Sequence, residues 1–116
     1  MTNRERPSMF LCTTENIPGY RVTETLGLVT GSVVMTKHIG RDIAAVIKGL
    51  FGGEVRGYTE LLHEARSSAI ERMSRQAAQW GANAVVGVRL STTEVMQGCA
   101  EVTAYGTAVK VAAERR

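Results

Sequence analysis

Cysteine is nearly absent: the 116-residue chain contains two, Cys12 and Cys99. They lie far apart without C-x-x-C spacing, which excludes a disulfide framework and fits free thiols in a reducing, cytoplasmic setting. Proline is equally scarce, with two residues, and no low-complexity tract interrupts the chain. Aromatic side chains make up only 5% of the sequence, so a core must be built from Val, Ala, Leu and Ile. No apolar run approaches the roughly 20 residues of a membrane span, and none follows "MTNRERPS" at the length a signal peptide needs. Charge of one sign is not in excess, since 14 basic against 11 acidic residues leave a net +3. Eleven of the fourteen basic residues are arginines, yet they spread along the chain apart from Arg4/Arg6 and Arg115/Arg116. A nucleic-acid footprint gathers on one face or helix, so neither nucleic acid nor membrane is the partner these numbers indicate.

What is present reads as one globular α+β domain, with 44% apolar and 22% charged residues. Residues 1–8 read as a disordered leader, 9–112 as the domain and 113–116 as a charged tail. "MFLCTT" is a short β-prone run that ends at the Pro18-Gly19 turn signal. From Tyr20 to Met35 the chain is rich in Val, Thr and Leu and reads as a long strand. Gly27 and Gly31 interrupt it, and the alternation slips between Leu28 and Val29, as a bulge or a close backbone approach would require. Over residues 40–53 the period changes: Ile43, Val46, Ile47, Leu50 and Phe51 form one apolar helical face. "GGEVRGY" then reads as a flexible connection.

A second, longer helix is expected from about Thr59, as N-cap, to Trp80, stopped by Gly81. Its inner face is Leu62, Ala65, Ala69, Met73, Ala77 and Trp80, and Glu71–Arg75 is an outward pair in the favourable order. Two strands follow, about 84–95 and 99–111, joined by "MQG". Ala84, Val86, Val88 and Leu90 are assigned to the helix side of the first, and Ala100, Val102, Ala104, Gly106 and Ala108 to that side of the second. The result is a two-layer domain, an antiparallel sheet with its helices on one face. The opposite face carries Val85, Arg89, Thr93, Cys99, Glu101, Thr103, Tyr105, Thr107 and Val109. That surface is too apolar for solvent and too polar for a core, so another subunit or the N-terminal segment should cover it.

Cys99 has two readings, a soft metal ligand or a small packed strand residue. Ligation needs three or four donors at about 2.0–2.3 Å; the candidates are Glu101 on the same face, with Cys12 and His38 brought in by folding, or Cys99 from several subunits. A free cysteine is more often a buried packing residue, and packing is favoured for Cys12 as well. A cysteine nucleophile would need His38 or His63 as its base. The glycines of "GLFGGEVRGY" end a helix and lack the lysine and Ser/Thr of a phosphate loop. Arg41, Arg89 and Tyr105 are candidates for an interface or a ligand cavity between subunits.

"TTENIPGYRVTETLGLVTGSVV", "GRDIAAVIKGLFGGEVRGYTELLHEAR", "GANAVVGVR" and "EVTAYGTAV", in that order, resemble the bacterial YbjQ family, also called UPF0145 or the heavy-metal-binding domain family. The resemblance implies a dodecin-like β-α-β-β subunit with extra short strands, assembled as a ring, a pentamer. It supplies no reaction. The expected function is a non-enzymatic, ring-forming binding or scaffold protein, its own partner, with an intersubunit site for a divalent or soft metal ion or a small ligand. The alternative is an enzyme whose composite intersubunit site uses Cys99, Glu101 or His38.

Overall fold

Long β-branched stretches and one alanine-rich helix dictate the architecture. In the computed structural model, residues 9–35, 53–96 and 99–115 are described. They form β1 (Phe10–Leu11), β2 (Tyr20–Met35), α1 (Gly53–Gln79), β3 (Ala84–Met96) and β4 (Cys99–Ala113). The expected helix over 40–53 lies outside the described residues up to Gly53. The strands make one four-stranded sheet in the order β1-β3-β4-β2, and α1 lies over β2 and β4, hardly meeting β3.

The sheet is mixed rather than antiparallel. β4 pairs antiparallel with both long neighbours, but β1 runs parallel to β3. β1 and β2 sit at opposite edges, so residues 12–19 must carry the chain across one face of the sheet. Two paired residues leave no periodicity from which strand direction could be read.

α1 begins at Gly53, not at Thr59. Gly53 and Gly57 each cost about 1 kcal/mol against alanine, too little to stop a helix whose remaining turns are docked. Its other end follows the expectation. Gly81 takes φ +88°, its N–H reaches Ala78 C=O at 3.0 Å and the Ala82 N–H reaches Ala77 C=O at 3.0 Å. That is a Schellman stop, which a side chain at Gly81 would strain.

Small residues set the distance between the layers. Ala65, Ala69, Met73 and Ala77 on α1 are buried against Val29, Val85, Val102, Ala104 and Ala108 of the sheet. A Cβ on Gly31 would stand 2.2 Å from Ala69 C=O and 2.4 Å from Met73 N, so the helix backbone rests directly on the strand. Trp80, assigned to the inner face, is instead 44% exposed and lies by Gly27, beyond the last covered turn. The Glu71–Arg75 pair forms at 3.4 Å on the outer face.

The strand faces on β3 depart from the expected alternation in one half. Val85 pairs with Ala108 and packs under α1, while Ala84 and Val86 share the opposite face with Val109 and Val111. A register shift between Val86 and Arg89, with Gly87 at φ +64°, then moves the strand by one residue. After it, Leu90 lies opposite Ala104 on the helix side and Arg89 lies opposite Tyr105 on the other. A bulge inverts every assignment upstream of it. On β2 the shifts fall between Val22 and Glu24 and between Thr25 and Gly27, upstream of the slip expected between Leu28 and Val29, where the register is regular.

Candidate functional site on the second sheet face

The face away from α1 has two ends built differently. At one end Ala84, Val86, Val109 and Val111 are buried beneath Phe10, Cys12, Ile17 and Tyr20. The Phe10 and Tyr20 rings meet with centroids 5.2 Å apart and planes tilted by 55°. Asn83 fastens this end: its side chain donates to Val111 C=O at 3.0 Å and accepts from Val111 N–H at 2.8 Å. Part of the half-polar face is therefore covered by the chain's own N-terminal segment.

The other end is bare among the described residues. Leu28 is 65% exposed, Val34 51% and Tyr105 38%. They are interleaved with Thr30, Ser32, Glu101 and Thr103, which share the face through the β2–β4 register. Ser32 Oγ and Thr103 Oγ1 are 3.0 Å apart, a cross-strand hydroxyl pair. This end is a flat patch of threonines, serine and isolated apolar side chains.

Arg89 stands at the boundary between the two ends. Its Nη1 donates to Thr13 C=O and to Val88 C=O, each at 2.9 Å, which ties the side chain to the edge of the covering loop. Beside it is an open basin of about 450 Å³ lined by Glu15, Thr25, Val86, Gly87, Arg89 and Thr107. Its walls mix a cation, an anion, hydroxyls and valine methyls. Glu15 and Gly87 were not among the sequence candidates; Gly87 had no signal beyond a glycine inside a strand.

The sequence candidates are thus partly brought together. Arg89 and Tyr105 are direct cross-strand neighbours, and Glu101 lies on the same face opposite Val34 and Thr93. Cys99 opens β4 opposite Met96, two residues from Glu101. Cys12 is elsewhere: it bonds to Val85, whose partner is Ala108. Nine residues of β4 separate Ala108 from Cys99, about 30 Å of strand, so one chain cannot bring both cysteines to one ion. Cys12 packs against the covered end, and its Sγ lies 3.4 Å from Thr14 C=O. His38 and Arg41 lie outside the described residues. His63 is exposed on α1.

The sequence matches the family described as "YbjQ_1: Putative heavy-metal-binding" over residues 9–112. The chain belongs to the YbjQ family. Among curated relatives, a UPF0145 protein of Thermotoga maritima is 59% identical over 103 residues, covering 89% of this chain and 97% of the relative. One from Psychromonas ingrahamii is 55% identical with 89% and 98% covered, and one from Hahella chejuensis 57% identical with 87% and 97% covered. A crystal structure of a DUF74-family protein of unknown function from Pediococcus pentosaceus matches with a TM-score of 0.56 at 17% identity. It covers 91% of this chain and 100% of its own, a likeness of fold alone.

The metal in the family's description finds no complete donor set here. Among the described residues, no group of three or more His, Cys, Asp or Glu side chains could hold an ion. Nor is any polar or charged side chain buried among them. No helix of the described residues is long and apolar enough to cross a membrane.

Proposed function

We propose that this YbjQ-family protein is a non-enzymatic homo-oligomer, a ring of the pentameric kind, that buries the bare end of its second sheet face between subunits and binds a small ligand or metal ion there. One observation carries the reading: Leu28, Val34 and Tyr105 all stand exposed on the same face of a regular sheet. The same face is closed by the protein's own chain at its other end, which shows what closing it requires. Singly exposed apolar side chains are ordinary, but these three share one sheet face with a segment that the chain buries at its other end.

An intersubunit location also answers the donor problem. Glu101, with Cys99 two residues away, recurs once in every copy, so a ring brings several such pairs to one axis or boundary. Soft thiolate with carboxylate suits a borderline divalent ion. Arg89, Glu15 and the hydroxyls of Thr25 and Thr107 suit a small polar molecule in the basin beside the interface.

Native mass spectrometry with elemental analysis on tag-free protein tests this directly. The expected result is an oligomer that Val34→Glu or Tyr105→Glu dissociates into folded monomers. Bound metal lost in Cys99→Ser assigns the ion; metal content unchanged by Cys99→Ser removes Cys99 from the site. A wild-type chain that stays monomeric at micromolar concentration overturns the reading.

A further inference from the structure

The two edges of the sheet are unequal, and their inequality is complementary. At the β2 edge the helix leans outward. Because Gly31 lets α1 rest on the strand, Arg72 and Gln76 reach past it: Arg72 Nη1 donates to Ser32 C=O at 2.6 Å, and Gln76 Oε1 accepts from Thr30 N–H at 3.0 Å. These backbone groups lie two residues apart, on the side of β2 turned away from β4. From Gly27 to Met35 this edge has no register shift against β4, no charged residue and no proline. Its cover is α1, whose Arg72 and Gln76 occupy two of its outward backbone groups through side chains that an incoming strand can displace.

At the opposite edge the situation is reversed. The β1 segment accompanies β3 only as far as Val88, whose N–H reaches Cys12 C=O at 3.0 Å. From Leu90 to Met96, β3 has no further strand on that side among the described residues. Above it, between the flank of α1 at Ile70 and the strand, an open groove of about 370 Å³ is walled by Leu11, Ile70, Val88 and Leu90. Leu90 is 43% exposed there. Glu94, opposite Ala100 and so on the helix side, is exposed at the far end of this edge.

We propose that a second copy of the chain adds its β2 edge, Gly27–Met35, to the free β3 edge, Leu90–Met96, so that its overhanging helix fills the groove beside Leu90. This rests on the oligomer reading above and names which elements meet. Arg72 and Gln76 hold Ser32 C=O and Thr30 N–H in the free chain and yield them to the incoming strand. Arg72 then faces Glu94 of the neighbouring copy, since both lie on the helix side of the joined sheet. Each copy is bound through two different edges, a heterologous contact that repeats around a ring instead of closing as a twofold dimer.

Cysteine cross-linking in the full chain tests the assignment. On a Cys12→Ser/Cys99→Ser background, Thr93→Cys is combined in turn with Thr30→Cys, Ser32→Cys or Val34→Cys, all on the second face. Within one chain β2 and β3 flank β4 and stand about 10 Å apart, beyond disulfide reach, so any link is between copies. Mild oxidation should give a ladder of covalent oligomers on a denaturing gel in one of the three double variants, and none in the single variants. Self-linking by Thr93→Cys alone would show β3 pairing with β3 and overturn the proposal. An oligomer by native mass spectrometry that no double variant cross-links overturns it too, leaving the oligomer reading intact; a monomer overturns both. As a second measure, Glu94→Arg and Arg72→Glu should each weaken assembly and their combination restore it. Failure of that restoration, with both single variants folded, counts against the charge pair and the proposed register of the two helix-side faces.

Discussion

The covered and bare ends of the second sheet face share strands, register and alternation, yet they differ in what lies above them. At the covered end, Phe10, Cys12, Ile17 and Tyr20 close over Ala84, Val86, Val109 and Val111. At the bare end, Leu28, Val34 and Tyr105 meet no described residue that hides them. A buried position and an exposed one on the same strand face should therefore answer to different experiments. Changes at the first move stability, and changes at the second move assembly.

Breaking the layer beneath both ends gives the largest effect. In Gly31→Ala the new methyl meets helix backbone atoms that cannot rotate away, so the expected loss is about 3 kcal/mol or more in urea unfolding. Val109→Asp comes next: it places a carboxylate at a position 2% exposed, and a loss of several kcal/mol is expected, again by urea unfolding. Its counterpart at the bare end, Val34→Glu, should leave the unfolding midpoint of the monomer nearly unchanged while shifting sedimentation toward monomer. If Val34→Glu unfolds the chain as readily as Val109→Asp, the two ends are not different in kind.

Asn83→Ala sharpens the comparison at intermediate size. It removes both side-chain bonds to the Val111 backbone, at an expected cost of about 1–2 kcal/mol. Hydrogen exchange should then accelerate at Val111 and over the covering segment, and not at Thr103 or Tyr105. The smallest effect belongs to the Lys110–Glu24 pair, 3.6 Å apart with both side chains about half exposed. Glu24→Gln should change stability by less than about 1 kcal/mol, and less still in high salt.

Much of this was legible without coordinates. The alanine and methionine positions of α1, its stop at Gly81 and the small-residue face of β4 follow from period and residue size, whereas the break in β2 was expected at Leu28 and Val29 and falls before Gly27. The half-polar face was also legible as a surface in need of cover. The faces of Ala84, Val85 and Val86 were not, because Gly87 shifts the register and a glycine in a strand does not announce in which direction. The helix start was misjudged because glycine's propensity is weak against tertiary docking. Of the candidate site, the shared face of Arg89 and Tyr105 followed from alternation beyond the bulge, and their direct pairing came from the register. The basin beside Arg89 did not, since Glu15 arrives from a loop whose path across the sheet leaves no trace in residue pattern.

The sequence by itself determined the element types, the packing seam between small residues and the presence of a half-polar second sheet face. Those depend on local periodicity and side-chain volume, which a linear chain carries in full. Only the tertiary structure decided that β1 lies parallel to β3, that the N-terminal segment covers one end of the second face, and that Cys12 is held about 30 Å of strand away from Cys99. It also decided that α1 leans toward β2 and leaves β3 open. Each of these turns on contacts between residues distant in sequence, where the chain's direction and a one-residue bulge settle which side chains meet.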